Sequence, residues 1–253
     1  MIQGPPPALD IVIPVYNEGR NIAPALDALK RHVKTPFRVL VCYDFDGDDT
    51  LPAIREFQDA GGGLDIVMVK NPEHGPHAAV RAGFAAATAP AVLVFMADDD
   101  YNAGIVDHMV ARFAAGDDVV AASRFVPGGC MVGCAWHKTI VTRLGTFALH
   151  QLGRLPLHDN TNAFRLFSRR LLDTVEIESR VGFTFSVELL SKAVRLGWRV
   201  SEVPAQWFER HDKPSRFRLF AWIPHYLKWL GYALATGWLR RGPETVRRKK
   251  AAQ

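Results

Sequence analysis

Three polar clusters in this chain each follow an apolar run, and their residue types suggest chemistry. Asp98-Asp99-Asp100-Tyr101-Asn102 comes directly after Val92-Leu93-Val94-Phe95-Met96. If the backbone stays extended there, Asp98, Asp100 and Asn102 project to one side by the period of two. Hard oxygens at that spacing suit Mg²⁺ or Mn²⁺ held jointly with substrate phosphates. The residues alone leave open a solvated acidic turn, with Asn102 as N-cap of a helix starting near Ala103. The other two clusters are Asp44-Phe45-Asp46-Gly47-Asp48-Asp49-Thr50 and Pro14-Val15-Tyr16-Asn17-Glu18. Two of the three are too acidic to cradle a naked phosphate. Neither GxGxxG nor GxxxxGK[ST] occurs, so a dinucleotide fold and a Walker-type ATPase are not supported.

The elements that must position these clusters alternate in type. Segments 10–15, 37–43, 64–69 and 91–97 read as strands buried on both faces, with helices at about 21–33, 50–60 and 77–88 between them. That rhythm predicts an α/β fold with a mostly parallel sheet covered on both sides. Ligands of such sheets bind beyond the carboxyl ends of the strands, where all three clusters fall. Past Ser123 the rhythm becomes irregular. A loop at Pro127-Gly128-Gly129 is followed by a helix over 137–152, a strand-rich patch at 163–168, a helix over 184–196 and a strand at 199–203.

Length and composition agree with one domain. The chain has 253 residues, 48% of them hydrophobic and 23% charged, which excludes disorder and collagen-like architecture. The net charge of +5 is carried by Arg240, Arg241, Arg247, Arg248, Lys249 and Lys250 against Glu244. Without a basic stripe through the body, no nucleic-acid partner is expected. Cys42, Cys130 and Cys134 are too few for a disulfide framework, and no signal peptide is read at the N-terminus; a reducing cytosol fits both.

Taken together, the ordered motifs resemble a known family. The Pro-Val-Tyr-Asn-Glu after the first strand, the loop ending Asp48-Asp49-Thr50, Gly75 through Gly83 opening a helix, and Asp98-x-Asp100-x-Asn102 resemble the inverting nucleotide-sugar glycosyltransferases of family two, with their Rossmann-like GT-A fold. Ser123-Arg124-Phe125, Asp159-x-Thr161-x-Ala163-Phe164-Arg165, Gly182-Phe183-x-Phe185-x-x-Glu188-Leu189 and Val203-Pro204 followed by Arg210 and Ser215-Arg216 resemble its polyprenyl-phosphate sugar transferases, of the dolichol-phosphate mannose synthase type. The resemblance covers about 10–217.

That resemblance implies a single GT-A domain over 1–216, a metal-dependent inverting transfer and a set of roles. Pro14, Tyr16, Glu18, Asp44, Asp98 and Arg81 would bind the donor, a GDP- or UDP-hexose with mannose or glucose as the sugar. Asp98, Asp100 and Asn102 would hold Mg²⁺ or Mn²⁺. Arg124, Lys138, Arg143 and Arg216 would bind the acceptor, a dolichyl- or undecaprenyl-type polyprenyl phosphate, and Asp100, Arg124 and Arg210 would be catalytic. Guanidinium groups suit this work because they match phosphate bidentately and keep their charge. Three departures stand out: Tyr43-Asp44-Phe45-Asp46 in the second loop, Asn102 where the family usually has the longer Gln, and Thr146 where it often has Asn.

A phosphomonoester acceptor is ionised near neutral pH, with a second pKa of about 6 on the phosphoserine scale. It can attack without a general base. A hydroxyl acceptor on a glycan or small molecule would need one, and Asp159 and Glu188 are the candidates. Residues 217–239 are apolar and aromatic, interrupted by Arg218, Pro224, His225 and Lys228. They predict a pair of amphipathic helices lying on the membrane and broken near Pro224, followed by a basic tail, 240–253, that is drawn to anionic lipid. The enzyme is then expected at the cytoplasmic membrane face. A non-catalytic basic module for membrane or nucleic acid would leave the acidic loops unexplained.

Overall fold

The computed structural model describes residues 7–209 and 219–249. Its first half follows the expected alternation: β1 (Leu9–Pro14), α1 (Ile22–His32), β2 (Phe37–Tyr43), α2 (Thr50–Asp59), β3 (Ile66–Lys70), α3 (Pro76–Ala86) and β4 (Ala91–Val94). Then come α4 (Val106–Ala114), β5 (Val119–Ser123), β6 (Cys130–Val132), α5 (Trp136–Phe147), β7 (Arg165–Ser168), α6 (Arg169–Thr174), α7 (Phe185–Arg195), β8 (Val200–Pro204), β9 (Gln206–Phe208) and α8 (Leu219–Gly237).

Seven strands form one sheet in the order β3-β2-β1-β4-β7-β5-β8. Only β7 runs antiparallel, against both β4 and β5. β6 and β9 pair parallel in a separate ribbon. Side chains alternate between the two faces as a pleated strand requires. Ile11, Ile13, Val39, Val41 and Leu93 face the layer that includes α1 and α4, while Val12, Leu40, Cys42, Val92 and Val94 face the layer of α3, α7 and α8. Burial of one such aliphatic side chain contributes roughly 1.5–3 kcal/mol. Gly83 lets α3 approach the sheet: a Cβ there would run into Val12 and lie 2.8 Å from Cys42 Sγ.

Polar anchors fix the strand ends. Fully buried Asp10 accepts from Arg38 Nε at 2.9 Å and from the N–H groups of Thr88 and Ala89 at 2.6 and 2.8 Å. This joins the entries of β1, β2 and β4.

Two expectations change. Segment 64–69 was expected to be buried on both faces, but β3 is an edge strand with Val67 exposed. Segment 217–239 contains no break at Pro224: α8 is a single helix. Pro224 is its sixth residue, so its missing N–H leaves only the carbonyl of Phe220 without an intrahelical partner. Nor does α8 simply lie on a surface. Trp229 and Ala233 are buried, and Trp229 Nε1 donates to Ser179 Oγ at 2.9 Å. The described part of the basic tail is docked as well. Val246 is buried, the Glu176 N–H donates to the Arg247 carbonyl at 3.1 Å, and Val175 bridges Arg248. No helix among the described residues is long and apolar enough to cross a membrane.

Candidate active site

A cavity of about 1580 Å³ opens beyond the carboxyl ends of β1, β2 and β4. The switch in strand order around β1 and β4 creates this crevice, as open α/β sheets do. Its polar end is lined by Pro14, Tyr16, Glu18, Asp44, Asp98 and Asn102, and further along by Arg124 and Lys138. Eight of the residues singled out in the sequence therefore share one wall system.

The loop after β1 is held by the acidic loop after β2. Asp48 Oδ2 accepts from the Asn17 N–H at 3.1 Å, Thr50 Oγ1 from Glu18 N–H at 3.0 Å, and Asp49 Oδ1 from Gly19 N–H at 2.8 Å. Asn17 adopts a positive φ of 51°, a conformation these contacts stabilise. Asp48, Asp49 and Thr50 thus shape the loop after β1. Tyr16 remains 48% exposed, edge-on to Phe45 at 5.7 Å. Asp44 accepts from Asn71 Nδ2 and from Gly75 N–H, both at 2.8 Å. Each carboxylate oxygen keeps a second lone pair for a ligand N–H. Gly75, at φ 94°, is the residue that admits the turn into α3.

The acidic loop does not stay extended. β4 ends at Val94, and the Asp99 N–H turns back to the Met96 carbonyl at 3.2 Å. Asp98 and Asp100 end up exposed, Asp98 in the cavity wall and Asp100 outside its lining. An accessible carboxylate in the cavity wall, as Asp98 is, suits a hard divalent cation that keeps water and takes phosphate oxygens as its other ligands. Asn102 does not fit: it is 3% exposed and its amide is bonded at both ends inside the protein. Asp99 is also turned inward, and burial pushes its carboxyl up to about 6 against the opposing hydrogen bonds from Asn102.

On the other side of the cavity, Arg124 is paired in two-point fashion with Asp159, and Nη2 also donates to Thr161 Oγ1 at 3.2 Å. Arg124 and Arg143 both lie over the Phe125 ring, 5.3 and 5.4 Å from its centroid. Arg143 is exposed and outside the cavity lining. Lys138 Nζ donates to Glu209 Oε1 at 2.9 Å, so an anionic ligand would compete with Glu209 for it. Arg81 also lies outside the lining, 3.9 Å from Glu73. Arg210 and Arg216 lie outside the described residues.

The two carboxylates expected to be available as bases are sequestered. Asp159 is fully buried; burial opposes its charge, but the attraction and hydrogen bonds of Arg124 outweigh it and hold the carboxyl below its usual range. Glu188 is equally buried, accepting from the N–H groups of Glu178 and Ser179 at 2.6 and 2.7 Å and pairing with Lys192 at 2.7 Å. Thr146, at the departure from the family pattern, links the 158–160 loop: Oγ1 donates to the His158 carbonyl and accepts from the Asn160 N–H.

Sequence reasoning missed the far half of the cavity. Val141, Leu144, Ala148 and Leu149 line it from α5 and the following turn, and Phe183, Trp222, Tyr226 and Leu230 from the α7 approach and α8. The Tyr226 hydroxyl sits in this wall, pushed up to about 12 by burial, with Arg165 and Arg124 acting against that rise. One signal was present: α5 is apolar on more than its inner face, with Trp136, Ile140, Leu144 and Phe147 exposed.

Comparisons with known proteins agree with this architecture. The family model of glycosyl transferase family 2 matches residues 10–176. A polyprenol monophosphomannose synthase of Mycolicibacterium smegmatis is 29% identical over 206 residues, covering 79% of this chain and 77% of its own. An uncharacterized glycosyltransferase of Mycobacterium bovis is 30% identical over 209 residues, covering 83% and 89%. Among solved structures, glucosyl-3-phosphoglycerate synthase of Mycobacterium tuberculosis, in complex with Mn²⁺, UDP-glucose and phosphoglyceric acid, superposes with a TM-score of 0.65 at 18% identity, covering 97% of this chain and 88% of that one. The fold is therefore that of the GT-A glycosyltransferases, as the sequence implied.

Proposed function

The chain belongs to glycosyl transferase family 2, and from that premise we propose that it transfers a hexose from a nucleoside-diphosphate sugar to a polyprenyl phosphate, with inversion at the anomeric carbon. The observation that carries this reading is the change of character along one cavity. Its polar end holds Tyr16, Asp44 and Asp98, and its other end is walled by apolar side chains of α5 and α8. A small polar acceptor such as a glycerate would gain nothing from that wall, whereas a prenyl chain would bury apolar area against it. The name of the M. smegmatis relative supports the same acceptor class, and the Mn²⁺ and UDP-glucose of the M. tuberculosis neighbour support the donor and cofactor classes.

In this reading Tyr16 and Asp44 flank the base, and Asp98 with Asp100 would hold Mn²⁺ or Mg²⁺. The cation, when bound, would neutralise the donor diphosphate and ease its departure. Arg124, oriented by Asp159, faces the acceptor phosphate, and Lys138 exchanges Glu209 for it. A phosphate oxygen forms the bond to the anomeric carbon as the bond to the diphosphate breaks. No proton needs to move, which suits a site whose two expected bases are buried and paired. Positioning two anions is then the main task of the protein.

The acceptor's lipid tail implies a membrane surface. Trp136, Ile140, Leu144 and Phe147 of α5, with Leu227 of α8 and Trp238 directly after it, are exposed apolar groups suited to shallow insertion. Arg240, Arg241, Arg247, Arg248 and Lys249 would favour an anionic cytoplasmic leaflet, each contributing about 1 kcal/mol near the surface. A thermal-shift screen of GDP- and UDP-hexoses with Mn²⁺ tests the reading. Stabilisation by one nucleotide sugar that increases on adding a short prenyl phosphate supports it; no shift with any of them contradicts it.

A further inference from the structure

Asn102 occupies the third position of the acidic motif, yet its amide is taken up by partners within the protein. Nδ2 donates to Asp99 Oδ2 at 2.8 Å and to the Gln206 carbonyl at 2.7 Å, while Oδ1 accepts from the Gln206 N–H at 2.9 Å. A single side chain thus supplies the donor and acceptor that a neighbouring strand would offer to residue 206. Tyr101 repeats the contact one step along: its hydroxyl donates to the Phe208 carbonyl at 3.3 Å and its ring meets that of Phe208 at 5.1 Å.

The opposite edge of β9 is bonded to β6, the Cys130 N–H donating to the Ala205 carbonyl and the Glu209 N–H to the Val132 carbonyl, both at 3.0 Å. Residues 206 and 208 point their backbone groups one way and 205 and 209 the other, as a strand requires. The ribbon therefore has one edge on β6 and the other on the acidic loop. In sequence, β9 leads directly to Lys138's partner Glu209 and then to Arg210. The length of the side chain matters here. A Gln would overshoot by a methylene, and an Asp would lose the donor and place a second carboxylate beside buried Asp99.

We propose that Asn102 is a positioning residue, not a metal ligand: it ties the donor-side acidic loop to the acceptor-side strand β9, so that the two halves of the site move as one body. The assignment of sides rests on the transferase reading above. Asn102 therefore fixes where β9, and Glu209 directly after it, is held when Asp98 and Asp100 are engaged.

Amide exchange across 204–209, measured on the full chain without ligand, tests the tie. Calorimetry of Mn²⁺ with UDP and with GDP tests the metal role. Asn102→Ala and Asn102→Asp are expected to speed exchange at Gln206 by about tenfold or more. Asn102→Ala should leave Mn²⁺–nucleotide affinity within about threefold, and raise KM for a short prenyl phosphate about tenfold while KM for the nucleotide sugar stays within about threefold. Unchanged exchange in both variants would overturn the tie. A tenfold loss of Mn²⁺–nucleotide affinity in Asn102→Ala that Asn102→Asp restores would make Asn102 a ligand and overturn the proposal. Should these variants fail to fold, Tyr101→Phe removes only the hydroxyl contact and is expected to speed exchange at Phe208; no change there would count against the tie. If the native protein binds neither nucleotide, the transferase reading fails, and the ligand-free exchange comparison still decides the tie itself.

Discussion

Arg124 and Asp159, 35 residues apart, face each other as a two-point ion pair, with Nε 2.7 Å from Oδ2 and Nη2 3.0 Å from Oδ1, and the Arg124 N–H adds a third contact to Oδ2 at 3.1 Å. The carboxylate has no solvent exposure, whereas the guanidinium retains an edge on the cavity. The pair thus presents a charge whose direction is fixed from behind. Asp159→Asn should destabilise the fold by about 3–5 kcal/mol, the usual cost of breaking a buried pair, and any folded fraction should show a raised KM for the acceptor phosphate. Denaturant unfolding with acceptor kinetics checks this. Unchanged stability would mean that the pair is not held as described.

Asp98 and Asp100 are the accessible carboxylates of the acidic loop. Asp98→Ala should weaken binding of Mn²⁺ with UDP or GDP at least about tenfold, or about 1.4 kcal/mol, without lowering stability, since an exposed carboxylate is being removed. Calorimetry of the nucleotide with and without Mn²⁺ reads the effect. Equal affinities in the native protein and the variant would remove Asp98 from the metal site.

Glu188 and Lys192 are both fully buried on α7, joined at 2.7 Å, and Lys192 also reaches Glu178 at 2.9 Å. Glu178 in turn lies 3.7 Å from both Lys228 of α8 and Arg247 of the docked tail. The cluster is a structural lock for the C-terminal elements. Glu188→Gln should therefore cost about 3–5 kcal/mol and lower Tm, but leave kcat of the folded enzyme nearly unchanged. A large fall in kcat at full stability would restore Glu188 as a base.

His77 is buried at the start of α3, and burial, helped by Arg81 and Arg180, lowers its pKa to about 4. In the unfolded chain it would titrate near 6.5. Between those values the unfolded state binds more protons, so stability rises with pH through that window and is lost on acidification from 6.5 toward 4. The full effect is on the order of 3 kcal/mol. His77→Phe should flatten the pH dependence of unfolding in that interval; an unaltered slope would show that His77 is not the group responsible.

Much of the donor half was legible because β1, β2 and β4 are continuous apolar runs with their polar clusters at the carboxyl ends. The second half was harder. β7 is inserted antiparallel between β4 and β5, and β6 and β9 are three residues each, too short for a periodic pattern. Residue type identified Asp98, Arg124, Asp159 and Glu188 as charged candidates but could not say which way each faced. Burial decided that, turning Asp159 and Glu188 into supports and leaving Asp98 at the cavity. The role of Asn102 depends on a partner 104 residues away, which local spacing cannot reveal. The docking of the tail was not legible for the same reason: its charges are visible in sequence, but the contacts of Val246 and Arg248 are not.

The most direct test of the central claim is to incubate the protein with Mn²⁺, a radiolabelled GDP- or UDP-hexose and a polyprenyl phosphate, and to follow label into the lipid phase. The account predicts a hexosyl phosphoprenol of inverted anomeric configuration, formed with stoichiometric release of nucleoside diphosphate. Label that enters only a soluble hydroxyl acceptor, with the prenyl phosphate left unused, would contradict it.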